Sequence, residues 1–440
     1  YALRANCRLL PTDSPEEPEL SSWPLSIHPL GGGHHSETAI MAMNSKTSAL
    51  DDQQVAEYRE NGYLVIRDVM PSDETHELRR IVQEQARNNA YPPSLEYPEP
   101  GKYTIGGNKI STPGLAPIAE HPTVIDAVEC LLGQPAYLTA YVAYLRSPGD
   151  KGGGAHCDYK RWRPVGSSMN WLFAVVPLTD FDLEYGPLLV SPGSNKLTKI
   201  IDPNAHILDL TRPHVDKLPP FIDPKLRAGD MLLMNAHTWH KAPAGTTSED
   251  RCGVFNKYCA VNAPPAAGYY PYDLAAYAAL SDAGKRLIPV HSDKPISTTR
   301  LLIESTSEAQ SKFLLVNDGN GGWTLPGGEG WEEEDGVGWD VGARVGSLQS
   351  LVKTQLDVDI PWMSYIEDVD AESDRCRVYG YSDAKLEQDS LTNRDWFTKE
   401  QLLDMLGDLH DICRVVDTWV RDDIIRGKGK AIHQRTEQFD

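Results

Sequence analysis

The sequence predicts a mainly β chain with flanking helices: a sandwich or jelly roll, followed by a smaller strand-rich unit. Three observations point there. From 136 to 260 short apolar stretches alternate with Gly, Pro and Asp, the texture of an all-β sandwich or barrel. A second set of apolar strands, Arg300-Leu-Leu-Ile303 and Phe313-Leu-Leu-Val316, begins after a connector that opens on Pro264-Pro-Ala-Ala-Gly268. And 440 residues are too many for one ordinary core, so two domains plus tails are expected.

Ahead of the strands, Asp51–Glu60 sets Val55 and Tyr58 at helical spacing, and Asn61-Gly62 breaks the pattern. Tyr63-Leu-Val-Ile66 is β-branched and reads as a strand. Ser72 or Asp73 can cap the next helix, whose Leu78, Ile81 and Val82 share a face. Val124–Leu132 is a further helix stopped by Gly133. The connector holds a helix around Asp273–Leu280, and two helices near 399–405 and 409–425 close the chain. The divisions are then an extension over 1–45, a first domain over 46–262, a connector over 263–297 and a second domain over 298–430, with Met41 or Met43 a candidate natural start.

Composition excludes several classes. With 40% hydrophobic and 24% charged residues the chain reads as globular. A formal charge of −21 offers no basic stripe for a phosphate backbone, and Arg426-Gly-Lys-Gly-Lys430 reads as a solvated tail. No apolar run approaches the roughly 18 residues of a membrane span. Seven scattered cysteines form no Cys-x-x-Cys pair, so neither a zinc ribbon nor a disulfide framework is expected. The first 40 residues lack a charged n-region and apolar h-region, so a cytoplasmic, intracellular and not secreted protein is expected.

The chemistry sits in histidines and carboxylates. A ferrous oxygenase site needs two imidazoles and one carboxylate on one side of the metal, with open positions for cosubstrate and dioxygen. His-x-Asp serves because alternate residues of a strand point the same way. The motif occurs three times, at His156-Cys-Asp158, His214-Val-Asp216 and His291-Ser-Asp293; with 13 histidines roughly one chance occurrence is expected. Only His156 follows a glycine-rich turn, Gly152-Gly-Gly154, and precedes the tight turn Gly186-Pro-Leu-Leu-Val-Ser-Pro-Gly193. His214 reads as loop, and His291 lies in the connector. The distal ligand comes from Arg227-Ala-Gly-Asp230-Met-Leu-Leu-Met-Asn-Ala-His237-Thr-Trp-His240, read as a turn and a strand ending in two histidines. Three apart, they cannot both face the metal on a regular strand. Arg251, eleven residues beyond His240, opens a strand and can grip the remote carboxylate of 2-oxoglutarate by paired, charge-assisted hydrogen bonds.

In order along the chain, Tyr58…Gly62-Tyr-Leu-Val-Ile66, His156-Cys-Asp158, Gly186-Pro-Leu…Ser191-Pro-Gly-Ser194, Gly229-Asp230…His240 and Arg251 resemble the phytanoyl-CoA dioxygenase (PhyH) family of Fe(II)/2-oxoglutarate-dependent oxygenases over about residues 51–260. The resemblance implies a cupin-like double-stranded β-helix with iron at its mouth, 2-oxoglutarate and O2 as cosubstrates, and His240 rather than His237 as the ligand. Asp158 stands where related halogenases carry a small residue, so hydroxylation, desaturation or ring formation is implied over chlorination. Two positions depart from the family: Ala242 replaces a frequent Ser or Thr, and Asn195 replaces a frequent His. Trp171 is a candidate for the cosubstrate pocket; Tyr159 and Trp162, with Lys160, Arg161 and Arg163, are candidates to meet a small-molecule substrate, a specialised metabolite for instance.

Residues 298–425 resemble a Nudix fold through Trp323-Thr-Leu-Pro-Gly-Gly328, Glu334 and Trp396-Phe397. The helix that should carry magnesium-binding glutamates is read as Ser347–Leu356, with Thr354 and Gln355 in their place, so a non-catalytic α/β domain serving dimerisation, capping or stability is expected. Glu332–Asp335 reads as a solvated charged loop. Two further readings stay open: a Nudix-type diphosphate hydrolase with an auxiliary jelly roll, and a non-enzymatic binding protein. The complete triad separates the first reading from both.

Overall fold

The computed structural model describes residues 50–88, 95–158, 171–196, 218–261, 268–306, 310–319, 321–329, 341–360, 363–370, 373–383, 393–407 and 410–421. The extension over 1–45, His214-Val-Asp216, Tyr159, Trp162, Glu332–Asp335 and the basic run at 426–430 lie outside them.

Helix α1 (Asp52–Asn61) starts at a capping box: Asp51 accepts from Gln54 N, and the Gln54 side chain accepts from Asp51 N. It ends where Gly62 adopts φ +76°. Strands β1 (Tyr63–Ile66), β2 (Lys102–Gly106), β3 (Ala136–Ala140), β4 (Val142–Arg146), β6 (Trp171–Pro177), β8 (Met231–Asn235) and β10 (Arg251–Ala260) form a seven-stranded sheet ordered β1-β8-β6-β10-β4-β2, with β3 also on β10. Helices α2 (Ser72–Asn88) and α4 (Pro122–Leu132), with the short α3 (Ala116–Ala119) between them, pack against this sheet. Every residue of β6 and β8 is buried, because one face meets helices and the other an interior cavity.

A second sheet of β5 (Gly152–His156), β9 (His240–Pro243) and β7 (Leu189–Val190), ordered β5-β9-β7, closes the sandwich. Its register sets His156 opposite His240. Gly152 makes that pairing close: its φ is +77°, and a Cβ there would lie 2.4 Å from the Ala242 carbonyl oxygen. The two-sheet sandwich with flanking helices follows the sequence expectation.

Helices α5 (Leu274–Ala279) and α6 (Asp282–Lys285) occupy the connector. Beyond it, β11 (Ile296–Ser305), β12 (Lys312–Asn317), β13 (Trp323–Thr324), β14 (Gly327–Glu329), β15 (Ser364–Asp370), β16 (Arg375–Asp383) and β17 (Arg394–Thr398) form a mixed sheet in which β11 and β16 run parallel. Helix α7 (Val341–Leu356) begins six residues before the expected Ser347. Gly342 and Gly346 each cost about 1 kcal/mol against Ala, but Leu348, Val352 and Leu356 bury one stripe and tertiary packing prevails. Helices α8 (Lys399–Leu406) and α9 (Asp411–Arg421) finish the unit. On α9, Val415, Val416 and Trp419 are buried, and Trp419 Nε1 donates to Glu304 Oε2 at 2.9 Å.

The two units share a core. Arg377 is fully buried, held by both oxygens of Asp368 at 2.7 and 2.9 Å, and donates to the Tyr269 carbonyl in the connector at 2.8 Å. Tyr269 in turn meets Tyr137 of β3 and Tyr365 of β15 edge-on.

The Gly152→Ala variant tests the close packing under the two histidines. A left-handed backbone and a carbonyl clash together should cost about 2 kcal/mol or more, read as a lowered denaturation midpoint; a midpoint equal to wild type would show that β5 and β9 tolerate separation.

Candidate active site

His156 ends β5, and Asp158 follows two residues on, so the alternation carries both side chains to one side while Cys157 turns away and packs on Trp239. His240 starts β9. Here the sequence reading needs correction: β8 stops at Asn235, and His237 lies in the turn between strands rather than at a strand end. Asn235 makes that turn, since its carbonyl accepts from Thr238 N at 2.9 Å and its side chain from His237 N at 2.9 Å.

The turn is braced by motifs read from the sequence. Thr238 Oγ1 donates to the Gly62 carbonyl at 2.7 Å, and Gly62 lies so close that a Cβ would sit 2.5 Å from that hydroxyl. Trp239 N donates to Ser194 Oγ, and Ser191 N to the Trp239 carbonyl, both at 2.9 Å. Ser191-Pro-Gly-Ser194 therefore supports the distal histidine. Asp230 is structural as well: buried, it accepts from Arg67, Asp68 N and Arg227 N.

His156, Asp158 and His240 offer ligand atoms that all lie within 4.8 Å of one another, the one such group of His, Cys, Asp and Glu among the described residues. Each histidine donates from Nδ1 to a carbonyl two residues earlier, His156 to Gly154 at 2.8 Å and His240 to Thr238 at 3.0 Å. That bond puts the proton on Nδ1 and leaves the Nε2 lone pair for a metal. His240 Nε2 lies 3.5 Å from Asp158 Oδ2. Burial, and then the neighbouring His156, push the His240 pKa down to about 4, which keeps the ring neutral as a ligand must be. Two imidazoles and one carboxylate suit ferrous iron.

A cavity of about 140 Å³ opens from the triad between the two sheets. Cavities for drug-sized ligands run to about 300–1,000 Å³, so the space bounded by described residues has the size of a small cosubstrate. Its cations are its main feature. Lys102, Arg146 and Arg251 stand directly opposite one another on β2, β4 and β10. Like charges in such a row repel. Asp150 pairs with Arg146. Arg251 is 5% exposed, its Nε and Nη2 have no hydrogen-bond partner, and its guanidinium stacks on Phe181. Burial and then Arg146 lower its pKa to about 9. The same two causes bring Lys102, whose ammonium sits over Tyr144, to about 8. An anion with a carboxylate at this end would relieve the row.

The sequence placed Arg251 correctly at the head of its strand, where it is buried. Trp171 shares a strand face with Phe173 but lies one pleat beyond, and Phe173 rather than Trp171 lines the cavity. Lys102, Arg146 and Lys257 were missed. The only available signal was parity along β10, which puts residue 257 on the side of Arg251; the cross-strand row could not be seen without the register. His291 stacks on Tyr277, away from the triad.

Residues 58–253 match the family model described as phytanoyl-CoA dioxygenase (PhyH). The chain is 24% identical over 233 residues to an ectoine dioxygenase of Bordetella bronchiseptica, covering 48% of this chain and 75% of that protein. Among solved structures it is similar to the non-haem α-ketoglutarate-dependent carbocyclase SnoK from nogalamycin biosynthesis, at TM-score 0.43 and 22% identity over 49% of this chain and 87% of that one. HygX from Streptomyces hygroscopicus, solved with nickel and 2-oxoglutarate, gives 0.39 and 20% over 51% and 91%. Residues 58–253 thus form a domain of the phytanoyl-CoA dioxygenase family. The family match and the two-histidine, one-carboxylate cluster support an oxygenase enzyme of the Fe(II)/2-oxoglutarate-dependent kind.

Two outcomes are expected of the metal-free chain. Arg251→Met, which removes an unpaired buried charge at similar volume, should raise stability by about 1–3 kcal/mol in a denaturant titration; a loss of stability would mean that Arg251 is satisfied without an anion. His237 and His240 have pKa values lowered by burial to about 3 and 4, against 6.5 when unfolded. Unfolding then takes up protons below 6.5, so their contribution is complete above that pH and is lost as the pH falls towards 4. Between pH 7.5 and 5 the loss should be about 1–4 kcal/mol, and His237→Leu should flatten it.

Proposed function

We propose that His156, Asp158 and His240 hold the iron, that Arg251 binds the remote carboxylate of 2-oxoglutarate, and that the reaction is hydroxylation, desaturation or ring formation on a small molecule. The observation that carries this reading is the pairing, across one 140 Å³ cavity, of a two-histidine, one-carboxylate cluster with a buried guanidinium whose Nε and Nη2 have no hydrogen-bond partner. Bound iron(II) would couple oxidative decarboxylation of 2-oxoglutarate by dioxygen to oxidation of the substrate.

The chain's own residues do the rest. The two Nδ1–carbonyl bonds orient the imidazoles, and the braced turn at 236–239 keeps His240 from swinging out. Lys102 and Arg146 reinforce the charge at the Arg251 end. Apolar walls from Phe173, Leu188, Met234 and Phe255 exclude water. Ala242 offers no hydroxyl where the family often has one, so the cation row takes a larger share of cosubstrate binding. Trp171, buried in the core one pleat away, is not assigned a place in the cosubstrate pocket. Asp158, a full carboxylate ligand, favours transfer of oxygen or removal of hydrogen over chlorination. A specialised metabolite suits such a site; the related ectoine dioxygenases and nogalamycin enzymes are named for small molecules.

For the second unit we infer a Nudix-like scaffold without its hydrolase. Gln355 on α7, where a glutamate would bind magnesium, instead clamps the Gly327 peptide, accepting from its N–H and donating to its carbonyl, each at 3.0 Å. A residue so engaged holds the Trp323–Gly328 turn and leaves no charge for a cation. The Arg377–Tyr269 contact supports a stabilising role for this unit.

Anaerobic titration of the apo-protein with Fe(II) and 2-oxoglutarate should develop the visible metal-to-ligand charge-transfer band. His156→Ala should abolish it, and Arg251→Met should raise the 2-oxoglutarate concentration needed by roughly 100-fold, the scale of a lost buried charge pair. A well-folded wild type without the band would falsify the assignment of these residues.

A further inference from the structure

We propose that Lys257 is a positioning residue for the metal-binding carboxylate, holding Asp158 by its outer oxygen. The proposal rests on the reading above that Asp158 is a ligand.

Residues 251, 253, 255 and 257 of β10 share one face, and Arg251, Phe255 and Lys257 all line the cavity. Arg251 belongs to the cation row at one end. Lys257 stands opposite Phe173 on β6 and Ala140 on β3, and a register shift in the β3 pairing falls immediately after it. Such irregularities re-aim a side chain beside a site. Lys257 is 7% exposed, with its ammonium 4.8 Å from the centre of the Phe173 ring. A buried ammonium needs an anion. Among the described residues lining the cavity, Asp158 is the one carboxylate.

The two oxygens of Asp158 are turned to different partners. Oδ2 is 3.5 Å from His240 Nε2, on the side of the imidazoles, while Oδ1 is 3.8 Å from Lys257 Nζ. Asp158 lies beyond the end of β5, so the strand ladder does not fix its backbone as it fixes His156. An ion pair on the outer oxygen supplies orientation that the ladder does not. It keeps that oxygen from turning inward, so the carboxylate gives the metal one oxygen and leaves other positions for cosubstrate and dioxygen. Outer partners of metal ligands commonly carry tenfold to 100-fold in affinity or activity.

The ammonium also repels any dication directly, so the net change in affinity on removing it is not diagnostic. A double-mutant cycle separates the two effects. Metal dissociation constants would be measured on the full-length chain, with Fe(II) and with Co(II) as an absorbing probe, for wild type, Lys257→Met, Asp158→Ala and the double variant. If Lys257 acts through Asp158, Lys257→Met tightens binding when the carboxylate is absent and does not when it is present, a coupling of about tenfold or more. In the Fe(II)·2-oxoglutarate complex Lys257→Met should shift the charge-transfer band to lower energy, because Asp158 donates more strongly without its cation, and Lys257→Arg should restore it. Should Lys257→Met not fold, Lys257→Gln carries the cycle. Additive effects within about twofold, with an unmoved band, overturn the positioning role alone. Absence of any wild-type band overturns the oxygenase site on which it rests.

Discussion

The pairing of β5 with β9, with His156 directly opposite His240, is the constraint on which the rest of the site depends. Two short strands, remote in sequence, must meet in one register for two imidazoles to share a metal. A slip of one residue would turn one ring to the other face of the sheet. Much of the first unit secures that register: a glycine with no room for a Cβ on one strand, and a turn before the other that is stitched to Gly62, Ser191 and Ser194.

Charge organises the cavity as strongly as geometry. Three cations in a cross-strand row at one end, and a lysine beside Asp158 at the other, surround a space sized for a small diacid. Without an anion such a row is costly, which is visible in the lowered pKa values of Lys102 and Arg251. On the proposed reading, such an arrangement would exchange stability of the chain for its hold on an anionic cosubstrate.

The second unit is joined to the first by buried contacts rather than by a free linker. Arg377, its two bonds to Asp368 and its bond to the Tyr269 carbonyl form a polar core at the junction, ringed by tyrosines of both units. Removing one partner of such a network leaves a buried charge uncompensated. These buried contacts tie the two units together, and within the second unit Gln355 holds the Gly327 peptide.

By itself the sequence determined the element types, the sandwich and the candidate residues of the site, because these reside in local signals. Period-two apolar runs, Gly62 and Gly133 as helix stops, His-x-Asp after a glycine-rich turn, and an arginine at the head of a strand are all readable within a few residues. The start of α7 was misjudged because glycine propensity is a local cost and packing of Leu348 and Val352 a non-local gain. Only the tertiary structure decided what depends on register. That His237 sits in a turn while His240 opens the next strand, that Lys102, Arg146 and Arg251 form one row, that Phe173 rather than Trp171 reaches the cavity, and that Lys257 meets Asp158 all follow from which strands lie side by side and in what alignment. No window of sequence contains that information, since the partners stand up to about 150 positions apart and are brought together by the hydrophobic collapse of the whole sandwich.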